Sequence, residues 1–206
     1  MSHLKANKIY ETDNGFLIHG DCLEVMQGLP DGSVAAIVTD PPYALEFMGK
    51  GWDKVLPSTE VWKECLRVAK PGAMLLAFGG TRTYHRLTCA IEDAGWEIRD
   101  CLMWVYGSGF PKSHNMGKAM DKLRGNLRKE IQTTKQKGGW HHEHTINDDG
   151  WKGGDQVETK GVSEWEGYGT ALKPAYEPIV LAMKPLDGTF ANNALVHGVA
   201  GINIDG

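Results

Sequence analysis

Four consecutive residues, Asp40-Pro41-Pro42-Tyr43, bring together groups that can hold an amine on a planar ring. The two prolines fix φ and have no backbone N–H, so the Pro41 carbonyl can face outward as a rigid hydrogen-bond acceptor. Asp40 places a carboxylate beside that carbonyl, and Tyr43 offers an aromatic face for stacking. Two acceptors and a ring fit an exocyclic amino group on a heterocycle.

The amine of such a heterocycle is a weak nucleophile, because its lone pair is delocalised into the ring. Hydrogen bonds from both amine hydrogens to Asp40 and the Pro41 carbonyl favour a tetrahedral nitrogen, whose lone pair can attack an electrophile. This is catalysis by positioning and electrostatic stabilisation, without a covalent enzyme intermediate. The alternative is an ordinary strand-ending turn that contains two prolines. The apolar strand before the motif and Gly20-Asp21 further upstream favour the functional interpretation.

The elements that must position these residues alternate between strand-like and helix-like segments over the first 110 residues. Apolar runs predict strands, and helical spacing of apolar residues predicts helices. The predicted strands are 15–19, 33–39, 73–78 and 96–106 (one strand or a pair), and the predicted helices are 22–30, 58–69 and 83–94. This order predicts an α/β fold with a mostly parallel sheet, in which ligands collect at the carboxyl ends of strands. Gly20-Asp21, Asp40 to Tyr43 and Gly79-Gly80 all follow predicted strands.

A basic segment follows this core: residues 112–137 carry eight basic and two acidic side chains, in a chain whose net charge is −4. The predicted organisation is a catalytic core (1–110), a basic, Gly- and Trp-rich recognition insert (111–170), and a return strand with a tail (171–206). A helix is predicted over 114–132, low order over 138–170, a strand over 178–184, and no periodic element over 187–206. The basic side chains predict phosphate contacts, against the alternative of a solvated charged helix. The candidates for DNA contact are Lys112, Lys118, Lys122, Arg124 and Arg128.

Composition excludes several other classes of protein. The mild net charge excludes a uniformly cationic binder, no apolar run is long enough to span a membrane, and the start of the chain lacks an apolar signal core. We therefore expect a cytoplasmic protein. The four cysteines show no Cys-x-x-Cys spacing, and the histidines at 141, 142 and 144 lie in a Gly-rich stretch without partners at ligand spacing, so no metal site is predicted.

Residues 20–43, GDCLEVMQGLPDGSVAAIVTDPPY, resemble the amino-group DNA methyltransferases, which use S-adenosylmethionine (SAM). The resemblance continues through 47–54, 70–87, 104–115 and 171–186, and it looks most like phage and prophage members that place the DPPY motif before the SAM-binding glycine motif. It implies a Rossmann-like methyltransferase sheet in circularly permuted order, whole or incomplete. It also implies methylation of double-stranded DNA in the cytoplasm of a bacterial host. Protection against restriction and regulation of phage DNA are both open as biological roles.

By this resemblance Asp40, Pro41, Pro42 and Tyr43 hold a target base that has been flipped out of the duplex. The loop 46–55 is placed to fold over that base, with Lys50 and Trp52 as DNA contacts; the alternative is an ordinary solvated turn. The residues expected near SAM are Asp21, Asp40, Gly79 and Gly80. For the two glycines the alternative is a tight turn into the next helix.

The resemblance implies transfer of a methyl group to adenine N6, because DPPY rather than SPPY is commoner in those enzymes. Cytosine-N4 methylation is the first alternative. The family's Phe-x-Gly-x-Gly motif is matched only by residues 47–51, which follow DPPY in a loop without a preceding apolar strand, so this match is rejected. The second alternative is therefore a catalytically incompetent DNA-binding fragment. The expected partners are a homodimer mate or a complementing C-terminal half.

Overall fold

The computed structural model describes residues 8–45, 53–107, 113–134, 156–172 and 175–205. The chain divides into two compact units: unit 1 comprises 1–107 and 175–206, and unit 2 comprises 108–174. Among the described residues, no helix is long and apolar enough to cross a membrane. The predictions that concern Lys50, Trp52, Lys112 and the histidines at 141, 142 and 144 lie outside the described residues.

The main sheet of unit 1 has four strands, in the order β3 (Val34–Thr39), β4 (Ala69–Phe78), β8 (Tyr176–Met183) and β5 (Glu97–Val105). Strands β3 and β4 are parallel, whereas β8 is antiparallel to both of its neighbours. The predicted α/β class is confirmed. Three of the four strands run in the same direction, as predicted, but β8 enters between β4 and β5 in the opposite direction, so the sheet is mixed. The predicted strand 96–106 is one long strand, β5.

Two helices, α2 (Thr59–Val68) and α3 (Tyr84–Asp93), bury their apolar stripes against this sheet. Trp62 and Cys65 on α2, and Leu87 and Ile91 on α3, recur at the three- to four-residue spacing that puts side chains on one helix face. Trp96, just before β5, is buried with them and donates its indole N–H to the Trp62 carbonyl at 3.0 Å. The core therefore fixes α2 on β4, and α3 on β5 and β8. The carboxyl end of β4 lies at the candidate site.

The N-terminal part of unit 1 departs from the prediction. Strands β1 (Lys8–Thr12) and β2 (Gly15–His19) form an antiparallel hairpin of their own, followed by the short helix α1 (Cys22–Gln27). The sequence predicted β2 as a strand of the main sheet, and that placement is wrong, because in the described residues β2 pairs with β1. The apolar, β-branched run of β3 is typical of a strand buried within a sheet. In the described residues, however, β3 is one of the two edge strands of the main sheet and leaves Val38 69% exposed.

A further helix, α5 (Phe190–His197), lies in the tail where no element was predicted. Its buried Asn193 donates to the Pro71 carbonyl at 2.9 Å and to the Val199 carbonyl at 3.2 Å. Gly72 permits this approach: its φ is +76°, and a Cβ there would lie 2.5 Å from Asn193 Nδ2. The helix was missed because a buried asparagine carries its packing instead of an apolar stripe.

Unit 2 contains helix α4 (Met116–Arg124) and an antiparallel pair, β6 (Lys129–Thr134) and β7 (Gln156–Lys160). The Asn115 side chain caps the start of α4 by accepting from Lys118 N at 2.8 Å. The helix ends at Gly125, whose left-handed φ of +70° is the usual glycine C-terminal signal. The predicted helix over 114–132 therefore extends too far, since Lys129 already belongs to a strand.

Candidate active site

The candidate site lies at the strand-end edge of the main sheet, where β3, β4 and β5 end and β8 begins. Because β8 runs against its neighbours, its first residues stand beside the last residues of β4 and β5. The Gly79 N–H donates to the Pro178 carbonyl at 2.9 Å, which fixes the end of β4 against the start of β8. Asp40 to Tyr43 follow β3 at the same edge, so the motif and Gly79-Gly80 come from neighbouring strands.

Tyr43 is held at three points by three different elements. Its backbone N–H donates to Asp53 Oδ1 at 2.8 Å, and its carbonyl accepts from the Thr83 hydroxyl at 2.7 Å, at the start of α3. Its phenol donates to Glu177 Oε2 at 3.2 Å, on β8. Backbone and ring are therefore both fixed, which gives the ring a set orientation for stacking.

The carboxylates of Asp40 and Glu177 lie close to the Tyr43 phenol. Burial raises the pKa of Tyr43 well above its ordinary value of about 10, and the nearby carboxylates of Asp40 and Glu177 raise it further. The phenol is therefore protonated and acts as a hydrogen-bond donor. Asp40 is exposed and Pro41 to Tyr43 are half-buried. The carboxylates at this end of the sheet can accept hydrogen bonds from an amine. Their negative charge also offsets positive charge that develops on the amine.

Gly79 and Gly80 are explained by packing within unit 1. A Cβ at Gly79 would lie 2.9 Å from Leu87 Cδ2, and a Cβ at Gly80 would lie 3.3 to 3.4 Å from Thr83, Leu45 and Tyr43. The missing side chains let the turn after β4 close onto α3 and the motif. Their contact with a cofactor stays a prediction.

Asp21 has a structural role in the described residues. Its Oδ1 accepts from the backbone N–H groups of Leu23 and Glu24 at 3.0 and 3.2 Å, which caps helix α1. Because β2 lies outside the main sheet, the neighbouring strand end that led to the prediction of a SAM contact at Asp21 is not present.

Sequence reasoning missed three residues that hold the motif: Asp53, Thr83 and Glu177. Asp53 was included only in the loop 46–55, and Thr83 only as the start of a helix. Glu177 precedes the apolar run of β8. Only the antiparallel direction of β8 places this residue at the same end of the sheet as Tyr43. Each contacts Tyr43 from a distant position in the sequence: Asp53 is ten residues away from Tyr43, and Glu177 is 134 residues away.

In unit 2 the two predicted arginines already have carboxylate partners. Arg124 pairs with Glu164 through two hydrogen bonds of 2.6 and 2.8 Å. Arg128 binds the fully buried Asp121 and both oxygens of Glu166. Lys118 and Lys122 lie exposed on α4.

With this geometry in place, comparison with known proteins identifies the family. The N6/N4 family of DNA methylases matches residues 34–195, which is well over half of the chain. The chain belongs to the N6/N4 DNA methylases. The matched region includes the motif, Asp53, Thr83 and Glu177.

Individual relatives of this DNA methylase are similar over shorter stretches. The methylase YubD of Escherichia coli (strain K12) is 32% identical over 94 residues, which cover 43% of this chain and 41% of the relative. The type II methyltransferase M.HpaI of Haemophilus parainfluenzae is 27% identical over 118 residues, which cover 52% of this chain and 37% of the relative. The matches thus span about two-fifths of the length of these relatives.

Two solved structures are similar to this chain over most of its length. TTHA0409 of Thermus thermophilus, complexed with SAM, covers 81% of this chain at 17% identity, with 51% of its own length and a TM-score of 0.41. The M1.HpyAVI–SAM complex covers 81% of this chain at 16% identity, with 54% of its own length and a TM-score of 0.37.

The cofactor that membership of the DNA methylases implies is SAM, as the resemblance in the sequence predicted. SAM carries a positively charged sulfur. The acidic edge at Asp40 and Glu177 suits a cation, so the chemistry of the described residues fits this cofactor.

Proposed function

We propose that this chain carries the amine-holding part of a SAM-dependent DNA methyltransferase that modifies the exocyclic N6 of a flipped adenine. The observation that carries the proposal is the segment Asp40 to Tyr43, which is held through Tyr43 at the acidic edge of the sheet. DPPY rather than SPPY favours adenine over cytosine. By the same resemblance we propose a phage or prophage origin and action in the host cytoplasm.

The chain's own residues supply positioning and charge. Asp40 and the Pro41 carbonyl accept both amine hydrogens, which turns the nitrogen lone pair out of the plane of the base. The Asp40 carboxylate also offsets the positive charge that the nitrogen acquires as it forms its bond to carbon, until a proton leaves to solvent. Tyr43 stacks on the base, which the duplex must first release by flipping.

When bound, SAM supplies a methyl group on a sulfonium that leaves as a neutral thioether. Asp40, Gly79 and Gly80 are the residues at the site that we propose to lie beside it. Asp21, which caps α1, is a weaker candidate because its strand is outside the main sheet.

We propose double-stranded DNA as the partner of unit 2, with Lys118 and Lys122 as phosphate contacts. Both are exposed and one helical turn apart on α4. Of the other predicted contacts, Arg124 and Arg128 would have to leave carboxylate partners to bind a phosphate. We therefore assign Arg128 a role in holding unit 2 together.

Replacing Lys118 and Lys122 with alanine should weaken DNA binding and make it less dependent on salt. Each lost phosphate contact should lower the slope of log K against log salt by about 1. Fluorescence anisotropy of a labelled duplex across a salt series measures this slope. Lys63→Ala, which removes an exposed lysine from α2 in unit 1, is the matched control. Equal slopes for the double variant and wild type would contradict the assignment.

We also propose that the outer edge of β3 receives a further strand, from a complementing half or a second copy of the chain. In the described residues β3 pairs on one side only, with β4, so its outer row of backbone N–H and C=O groups is open to a further strand. Sedimentation of the protein alone and with a candidate half tests this. A monomer that binds SAM unaided and ignores the added half would contradict it.

Two measurements decide among the candidate functions. Calorimetric titration with SAM tests for cofactor binding, and mapping of methylated bases in plasmid DNA from expressing cells tests for transfer. N6-methyladenine supports the proposal, and N4-methylcytosine selects the first alternative. Binding of DNA without heat from SAM and without methylation selects the DNA-binding fragment and overturns the self-sufficient enzyme.

A further inference from the structure

We propose that Asp53 is a positioning residue that restrains the acceptors of Asp40 and Pro41. Its carboxylate binds three consecutive backbone N–H groups: Oδ1 accepts from Tyr43 at 2.8 Å and Ala44 at 3.0 Å, and Oδ2 accepts from Leu45 at 3.3 Å. Its catalytic consequence rests on the proposed function.

The burial of Asp53 explains why the chain uses a carboxylate here. Asp53 is only 3% exposed, and a buried carboxylate is stable only when charge or hydrogen-bond donors compensate it. Three converging backbone N–H groups provide this compensation, in the manner of a backbone anion site. The effect is therefore reciprocal. The amides of the turn at residues 43–45 stabilise the buried carboxylate, and the carboxylate fixes the conformation of that turn.

The turn has a conformation that needs such an anchor. Ala44 has a φ of +55°, in the left-handed region that residues other than glycine rarely adopt. This conformation turns the amides of residues 43–45 toward one point. Without the carboxylate, Ala44 would lose the compensation for its strained backbone.

The anchor acts on the acceptors through the stiffness of the two prolines. The Tyr43 N–H lies in the planar peptide that joins Pro42 to Tyr43, so Asp53 fixes that plane. The ring of Pro42 locks its φ, so one soft dihedral angle remains between this plane and the Pro41 carbonyl. Fixing Tyr43 at its N–H by Asp53, and at its carbonyl by Thr83, therefore leaves the Pro41 carbonyl only the rotation about this one angle.

Amide hydrogen exchange, followed by NMR in the full chain, tests the anchor without any need for activity. In Asp53→Asn one oxygen can still accept from Tyr43 and Ala44, but the amide group no longer accepts from Leu45. We expect Leu45 exchange to rise at least tenfold, on the order of one lost hydrogen bond, with β4 and β8 unchanged. Asp53→Ala should release all three amides. Asp13→Asn, in the exposed turn of the β1–β2 hairpin, is the matched control.

Steady-state kinetics then test the positioning role. We expect kcat to fall about tenfold in Asp53→Asn and at least a hundredfold in Asp53→Ala, with KM for DNA and SAM within about twofold. Unchanged Leu45 exchange in Asp53→Asn, or faster exchange across the whole core in step with lost activity, would overturn the proposal. If wild type transfers no methyl group, either alone or with a complementing half, the proposed function fails, and the exchange of residues 43–45 still decides whether Asp53 anchors the turn.

Discussion

Replacing Asp40 with alanine should lower the single-turnover rate of methyl transfer by about 10²- to 10³-fold, the usual effect of removing one preorganised partner of developing charge. Asp40 supplies one of the two acceptors for the amine and the negative charge nearest to it. The Kd for DNA should stay within about twofold, because phosphate contacts come from unit 2. Rapid-quench measurement of transfer and anisotropy of a labelled duplex give these two quantities.

Two further variants sharpen this experiment. Asp40→Asn keeps one acceptor oxygen but loses the charge, so its rate should lie between those of wild type and Asp40→Ala. Asp13→Ala removes an aspartate from the exposed hairpin turn and should leave the rate unchanged. A wild-type rate in Asp40→Ala would show that the assigned acceptor is wrong. If transfer requires a complementing half, all variants are compared with that half present.

Removal of the Asp121–Arg128 pair should have the largest effect on the stability of unit 2. Asp121 is fully buried, and its compensation comes from the Arg128 guanidinium and the Asn126 side chain. Breaking a buried pair by removing one partner costs about 3 kcal/mol or more, the value we expect for Asp121→Ala. Arg128→Ala should be at least as damaging, because it leaves the buried carboxylate without its cation.

Denaturant unfolding, with amide exchange in β6 and β7, measures this loss. Arg128 also binds the Thr159 carbonyl at 2.7 Å, so its removal should release the start of β6 from the end of β7. Arg124→Ala is the matched control, since its pair with Glu164 is exposed and should add little. Equal unfolding midpoints for Arg124→Ala and Arg128→Ala would contradict the structural role of Arg128.

The chemistry of the site was predictable because it is local. Asp40 to Tyr43 carry their acceptors and their stiffness within four residues, and an apolar strand before them gives their place at a strand end. The restraints on Tyr43 were not predictable, since Asp53 and Glu177 act across distant parts of the chain. The hydrophobic pattern of one strand does not indicate which other strand it will pair with.

The same limit explains the errors in the fold. The β-branched run of β3 indicates a strand but cannot show whether a neighbour covers its outer edge. β8 was correctly predicted as a strand, but its direction depends on where the chain returns after unit 2. The end of α4 at Gly125 did have a local signal, which the basic residues that follow obscured.

The chain leaves unit 1 and returns to it at neighbouring positions. The Tyr106 N–H donates to the Ala175 carbonyl at 3.0 Å, just beyond the last rung between β5 and β8. Changes in length or composition between these two residues need not shift the register of the sheet. In evolutionary terms, the segment that we propose reads DNA can diversify by insertion, deletion or exchange, while the strands that hold the amine-binding edge stay the same.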